Sequence, residues 1–139
     1  MGGVPRSIPV LIILTVMMKY SSSLVSGMKG SVLVTVHNNL GPGKKLHLQC
    51  ESKDDDLGEK ALDYNQEYSW RFADNLWWST LFYCDLWYER NGAYVATHAD
   101  VYVAKRDEFC TGCVAAVGLD GIHVVDRNNR DSKLVATWP

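Results

Sequence analysis

The most constraining feature of the sequence is the alternation of apolar and polar residues that begins at Val32. Successive side chains of a β-strand point to opposite faces of a sheet, so an alternation of period two predicts half-buried strands. No segment sustains the period of 3.6 that is typical of a helix. The β-type runs cover residues 32–37, 46–51, 68–72, 77–88, 93–98, 101–104, 114–117 and 122–125. The run at residues 77–88 is apolar on both faces, which predicts a central strand of a two-layer core. The pattern therefore predicts an all-β fold, an antiparallel β-sandwich of about seven or eight short strands.

Residues 1–26 have the layout of a secretory signal peptide. A positive charge near the start is followed by an apolar run at residues 8–18 and then by small residues. This apolar run is too short to span a bilayer, which takes roughly 20 residues. We expect cleavage between residues 23 and 27, which leaves one domain at residues 27–139 outside the cell, with no stable membrane insertion.

The charge balance limits the possible partners. The chain has 14 basic and 16 acidic residues, and 47% of its residues are hydrophobic. A nucleic-acid-binding domain needs a clear basic excess, whereas a disordered chain has too few apolar residues to form a core. The composition therefore favours one folded domain with no nucleic-acid partner.

Four cysteines, Cys50, Cys84, Cys110 and Cys113, lie in the expected mature chain. An even number in an oxidising compartment predicts two disulfides, for which three connectivities are possible. A bridge between Cys110 and Cys113 would close a very short loop, so we expect each of these two to pair with Cys50 or Cys84. The competing interpretations are poorer, because a zinc site needs a second ligand pair and a thioredoxin-like motif needs a helix after Cys113.

The sequence has no arrangement that is typical of an enzyme or a metal site. Its histidines, His37, His47, His98 and His123, are not part of a nucleophile-and-base motif, and we expect the first three on solvated strand faces. The three adjacent aspartates at residues 54–56 lack the alternate spacing of a calcium loop and are typical of a solvated turn. We therefore expect no catalysis, no cofactor and no bound metal.

The aromatic residues allow two interpretations. Tyr68, Trp70 and Phe72 share one face of a predicted strand, which favours a place in the core. Aromatic rings on a surface could instead stack on sugars, as in a lectin-like carbohydrate-binding module, which is the alternative function. The rings considered for that alternative are Tyr68, Trp70, Trp77, Trp78, Phe82, Tyr83 and Trp87.

Polar segments between the strands are candidates for contact with a partner protein. Lys105, Arg106, Asp107 and Glu108 form a short polar loop before the last two cysteines, and a rigid loop loses little entropy on binding. We expect these four residues to contact a receptor, and we expect Lys105 and Arg106 to contribute little to stability. Residues 52–60 are predicted as a second recognition loop, and residues 127–131 as either a ligand loop or a frayed tail. The alternative for each segment is an ordinary solvated loop.

Three segments taken together resemble the plant self-incompatibility S-protein homologue family. They are LHLQCESKDDDLG at residues 46–58, YSWRF at 68–72 with WWSTLFYC at 77–84, and DGI at 120–122. The order of a cysteine strand, an acidic loop and a tryptophan strand is specific as a set, and the resemblance covers about residues 32–125.

The resemblance implies a small secreted plant protein with a disulfide-bonded β-sandwich and no catalytic residue. The founding members of that family are released by the pistil and recognised by a receptor on the pollen surface, which leads to rejection of incompatible pollen. The expected function is therefore that of an extracellular signalling ligand, a monomer that binds a cell-surface receptor.

Overall fold

Nine β-strands form two sheets in the part of the chain that the structure describes, residues 31–73, 80–108, 110–128 and 130–139 of a computed structural model. The predicted signal peptide at residues 1–26, and Trp77 and Trp78, lie outside these residues. The strands are β1 (Ser31–Asn38), β2 (Leu46–Glu51), β3 (Asp56–Leu62), β4 (Glu67–Ala73), β5 (Leu81–Arg90), β6 (Ala93–Val103), β7 (Gly112–Gly118), β8 (Gly121–Asp126) and β9 (Ser132–Ala136). Within the described residues, no helix has the length and apolar character needed to cross a membrane.

The strands form two sheets, as the predicted sandwich requires. One sheet has the order β4-β1-β7-β8-β9 and the other the order β3-β2-β5-β6. Neighbouring strands are antiparallel except for β1 and β7, which are parallel. The predicted all-β sandwich is confirmed, with one parallel pair inside the five-stranded sheet.

The core lies between the inward faces of the two sheets. Val34 of β1, Leu48 of β2 and Leu86 of β5 have no exposed surface. An aromatic layer lies beside them, in which Phe82 is 4.7 Å from Phe72 and 5.5 Å from Trp70 between ring centroids. Tyr68, Trp70 and Phe72 all pack against the core cluster, so the core interpretation of this stripe is confirmed.

Three strands, β3, β6 and β9, differ from the sequence prediction. Residues 52–60 were expected to be a loop, but β3 begins at Asp56. In β3, Leu62 is the one buried residue, and β9 has none; both strands lie at sheet edges. An edge strand with so little buried surface has no apolar alternation to reveal it. Residues 93–103 form the single strand β6, where two shorter strands were predicted.

A few polar contacts connect the two sheets. The buried Asn38, at the end of β1, donates from Nδ2 to the carbonyl oxygens of Lys44 at 2.8 Å and Leu62 at 2.9 Å. At the C-terminus, Trp138 Nε1 donates to the Gly118 carbonyl at 2.8 Å, and its ring meets that of Tyr88 edge-on at 4.7 Å. These contacts tie the ends of the five-stranded sheet to β3 and β5 of the other sheet.

The four cysteines form two disulfides, but the predicted pairing is wrong. Cys50 pairs with Cys84, its register partner on the adjacent strand, with a Cα separation of 4.0 Å. Cys110 pairs with Cys113 at a Cα separation of 5.9 Å, close enough to bridge despite the short loop. Cys113 lies in β7 of the five-stranded sheet, whereas Cys50 and Cys84 already face each other within the other sheet.

We predict that the two disulfides contribute unequally to stability. Removing the Cys50–Cys84 bridge as a double alanine variant should lower the free energy of unfolding by about 4 kcal/mol, because this bridge closes the longer loop of the unfolded chain. The matched Cys110→Ala/Cys113→Ala variant should lose only about 2 kcal/mol, since its cysteines are 3 residues apart. Urea denaturation of both variants measures the difference, and a larger loss for the second variant would contradict the prediction.

Candidate recognition surfaces

The segment at residues 105–108 is a tight turn that directly follows β6. The Asp107 carboxylate accepts a hydrogen bond from the Val103 amide at 2.9 Å, and the Asp107 amide donates to the Val103 carbonyl at 2.8 Å. The Cys110 amide donates to the Asp107 carbonyl at 2.9 Å, which connects the turn to the short disulfide. The Asp107 side chain is only 4% exposed, so this residue organises the turn from inside.

Arg106 neutralises the buried carboxylate of Asp107. Its NH2 nitrogen lies 2.8 Å from Asp107 Oδ2 and 2.9 Å from the carbonyl oxygen of Asp100. Lys133 of β9 lies 4.0 Å from Asp107 Oδ1 and donates to the Arg106 carbonyl at 3.0 Å. Arg106, which is partly buried, and the buried Asp107 therefore form an ion pair that joins the turn to β6 and β9.

The four predicted receptor-contact residues therefore differ in what they can offer to a partner. Lys105 and Glu108 are exposed, Arg106 is partly buried, and Asp107 is buried. The expectation that Arg106 has little structural role is wrong, because it holds the Asp107 carboxylate. The spacing of charges in the sequence cannot distinguish a buried aspartate from an exposed one.

The other two predicted loops are short and ordered by local hydrogen bonds. Ser52 donates its amide to the Asp55 carbonyl at 2.7 Å, and the Gly58 amide donates to Asp56 Oδ1 at 2.9 Å. The segment after β8 is a turn between two strands rather than a frayed tail, since Asn128 Nδ2 donates to Thr111 Oγ1 at 3.0 Å. A cluster of three or more residues able to ligate a metal ion is absent from the described part of the chain.

A further candidate surface is the outward side of the four-stranded sheet, which we call the outer face. It consists of alternate residues of four strands, on the side away from the core. They are Asp56, Glu59 and Ala61 of β3, His47, Gln49 and Glu51 of β2, Tyr83, Asp85, Trp87 and Glu89 of β5, and Tyr94, Ala96, His98 and Asp100 of β6.

Aromatic rings occupy one end of the outer face. Trp87 and His47 are register partners, and their rings are stacked with centroids 5.7 Å apart and planes at 9°. Tyr94 meets His47 edge-on at 5.9 Å and is 64% exposed. An open groove of about 430 Å³ adjoins His47 and Tyr94 and is bordered by Lys44 and Lys45.

Carboxylates dominate the other end of the outer face. His98 lies between two of them, with Nδ1 2.9 Å from Asp85 and Nε2 3.6 Å from Asp100. The ring of Tyr83 packs on His98 at 5.1 Å between centroids. Partial burial and the neighbouring carboxylates, chiefly Glu51, raise the pKa of Tyr83 above its ordinary value of 10.0, so the phenol stays protonated and can donate a hydrogen bond to Glu51.

The outer face was missed as a surface by the sequence analysis, although the signal for it is present. Residues 77–88 were predicted to be apolar on both faces of a central strand. β5 is central, but Tyr83 and Trp87 alternate with the buried Cys84 and Leu86 and so point outward. The position of the buried cysteine would have identified the outward set.

The four histidines all lie in strands. His47 and His98 lie on the outer face, and His37 of β1 pairs with Glu67 at 3.0 Å on the outward side of the other sheet. The expected position of these three histidines on strand faces is confirmed. His123 lies within β8, and its Nε2 is 4.0 Å from Asp120.

Comparisons with known proteins point to one family. The family model described as plant self-incompatibility protein S1 matches residues 33–138. S-protein homolog 29 of Arabidopsis thaliana is 29% identical over 136 residues, which cover 96% of this chain and 98% of that protein. Self-incompatibility protein S1 of Papaver rhoeas is 27% identical over 118 residues, covering 83% of each chain.

A solved structure supports the same fold. It is that of an SPH (self-incompatibility protein homologue) protein, from a family described as small, highly stable, secreted proteins from plants. The match has a TM-score of 0.58 and 16% sequence identity, and covers 78% of this chain and 94% of the other.

We predict that the residues of the 105–108 turn separate into a structural pair and an exposed pair. Arg106→Ala and Asp107→Ala should each lower the free energy of unfolding by about 2 kcal/mol, because each breaks the charge-assisted hydrogen bonds between the guanidinium and the buried carboxylate. Lys105→Ala and Glu108→Ala should stay within about 0.5 kcal/mol of the unmodified protein. Urea denaturation of the four variants measures these losses of free energy. Equal losses for the structural and the exposed variants would show that the Arg106–Asp107 ion pair does not stabilise the fold.

Proposed function

Because the chain belongs to the plant self-incompatibility protein S1 family, we propose that it is a secreted protein that acts as an extracellular signalling ligand for a cell-surface receptor. The observation that carries the proposal is the family match over residues 33–138, which spans nearly all of the β-sandwich. The apolar segment at the N-terminus supports export, and the two disulfides suit an oxidising compartment.

The proposed chemistry is recognition, without catalysis. A rigid β-sandwich displays surfaces at little entropic cost on binding, because its side chains are already ordered. The exposed Lys105 and Glu108, on a turn held by a partly buried ion pair, suit such a contact. The outer face supplies a second surface on which rings and charges are fixed by strand register.

Carbohydrate binding is the second candidate function. Trp87 and Tyr83 favour it, since both rings lie on the outer face rather than in the core, and a ring face can stack on a sugar. Tyr68, Trp70 and Phe82 no longer support it, because they pack between the sheets. Trp77 and Trp78 lie outside the described residues.

We predict that the chain is exported, cleaved and oxidised. Protein collected from the medium of plant cells that express the full chain should have the mass of a chain beginning within residues 24–27. Its mass should rise by four hydrogens on reduction, because two disulfides open. Intact mass with and without reductant and alkylation measures both properties. A full-length mass with four free thiols would overturn the proposal of secretion.

We predict that the secreted protein binds a protein receptor on plant cells. Fluorescently labelled protein should bind saturably to cells, and mild protease treatment of those cells should abolish the binding. Addition of cell-wall polysaccharides should not change the tryptophan fluorescence of the protein. Binding that survives protease, together with a saturable fluorescence change that is lost in Trp87→Ala, would instead favour the carbohydrate-binding function.

A further inference from the structure

The outer face carries a combination of groups that the fold itself does not need. The core is complete without it, because the inward residues of β2 and β5 are buried against the other sheet. Yet Trp87, Tyr83 and Tyr94 hold large rings on this solvent side, where a polar side chain would serve the fold as well. Asp85, Glu89, Tyr94, Ala96 and His98 of this face are exposed to solvent.

Within the described part of the chain, the carboxylates of the outer face have no lysine or arginine as a partner. Among the described residues, no lysine or arginine nitrogen lies within 4.0 Å of any of them, and His98 is the group that pairs with two of them. Glu51 and Asp56 are even direct register partners on β2 and β3. Like charges opposite each other destabilise a sheet. The carboxylates concerned are Glu51, Asp56, Glu59, Asp85, Glu89 and Asp100.

The outward side of the five-stranded sheet provides a contrast within the same molecule. There Glu67 lies 3.0 Å from His37 and 3.7 Å from Arg127, and Arg71 donates to Ser31 Oγ at 2.9 Å. On that side, the carboxylate of Glu67 therefore has a cationic partner, Arg127, within the chain itself. The uncompensated charge of the outer face is local, and it is not a consequence of the overall composition.

Rings and carboxylates alternate on the outer face at the spacing of a sheet. Along β5, Asp85 lies about 6.8 Å from Tyr83 on one side and about 6.8 Å from Trp87 on the other. Across the sheet, Glu51 and Asp100 flank Tyr83 on the neighbouring strands, about 4.8 Å away. An arginine guanidinium or lysine ammonium placed here could lie over a ring face and donate to a carboxylate beside it.

From this arrangement, we propose that the outer face is the receptor-binding surface and that it takes a segment of a partner protein rich in arginine or lysine. The inference rests on the proposed function, since it assigns the partner of that same ligand. Charge complementarity selects this occupant, because an anionic polysaccharide or an acidic protein would be repelled. A neutral sugar would use the rings and leave the carboxylates unpaired.

The first test uses a peptide probe. Fluorescein-labelled hexa-arginine is titrated with the secreted protein, and hexa-glutamate serves as the control peptide. Glu51→Gln/Asp85→Asn removes two charges from the outer face at constant side-chain size, and should weaken hexa-arginine binding at least about tenfold. The matched control Glu67→Gln/Asp120→Asn removes two exposed charges of the five-stranded sheet and its β7–β8 turn, and should change it less than about twofold. Equal losses of hexa-arginine affinity in both variants would show that net charge alone causes the effect, and would overturn the proposal.

The second test uses the cell-binding assay and separates the inference from the function on which it rests. The Glu51→Gln/Asp85→Asn variant and Trp87→Ala should lose most of the saturable binding, whereas the control variant should keep it. Tyr94→Ala replaces Trp87→Ala if the latter does not fold. If the unmodified protein binds saturably and all outer-face variants bind as well as it does, the inference is overturned but the proposed function is not. Absence of saturable binding by the unmodified protein would overturn the proposed function itself.

Discussion

The two-sided alternation of β5 is the constraint on which the rest of the structure depends. Its inward side chains are buried in the core, and its outward side chains form the centre of the outer face. The inward set is Phe82, Cys84, Leu86 and Tyr88, and the outward set is Tyr83, Asp85 and Trp87. A register shift of one residue would move Cys84 away from Cys50 and bring Asp85 into the core. Burial of the core therefore also fixes the disulfide and the order of rings and carboxylates on the opposite side.

Closure of the sandwich depends on a few polar groups at its ends. Asn38 is buried, and both of its amide hydrogen-bond functions are used, since Nδ2 reaches two carbonyls and Oδ1 accepts from the Leu40 amide at 2.9 Å. Trp138 makes the corresponding contact at the C-terminus through Gly118 and Tyr88. A buried polar group is costly unless it is hydrogen-bonded. Any other arrangement of the sheet ends would break these hydrogen bonds and is therefore disfavoured. Asp107 follows the same rule at the turn after β6.

Strands whose side chains alternate between buried and exposed can be predicted from the sequence. Features that depend on which distant strands pair with each other cannot. β1, β2, β4, β7 and β8 bury alternate residues and were all predicted near their observed bounds. β3 and β9 are edge strands with almost no buried surface, so their pattern does not differ from that of a loop. The disulfides depend on which strand lies beside β2, and the exposure of Asp107 depends on the position of Arg106. Local sequence contains neither piece of information.

The uncompensated charge of the outer face is best understood as a local conflict between stability and recognition. A sheet optimised for stability would place a lysine opposite Glu51, and Asp56 stands there instead. Burial of its phenol, and then the carboxylates held beside it, raise the pKa of Tyr83 above its ordinary value, in keeping with the crowding of acidic groups on this face. Such conflicts are expected at functional sites, where a partner supplies the missing charge on binding. Because register fixes these groups before the partner arrives, little ordering entropy is lost when the charges meet, and binding becomes selective for a cationic surface.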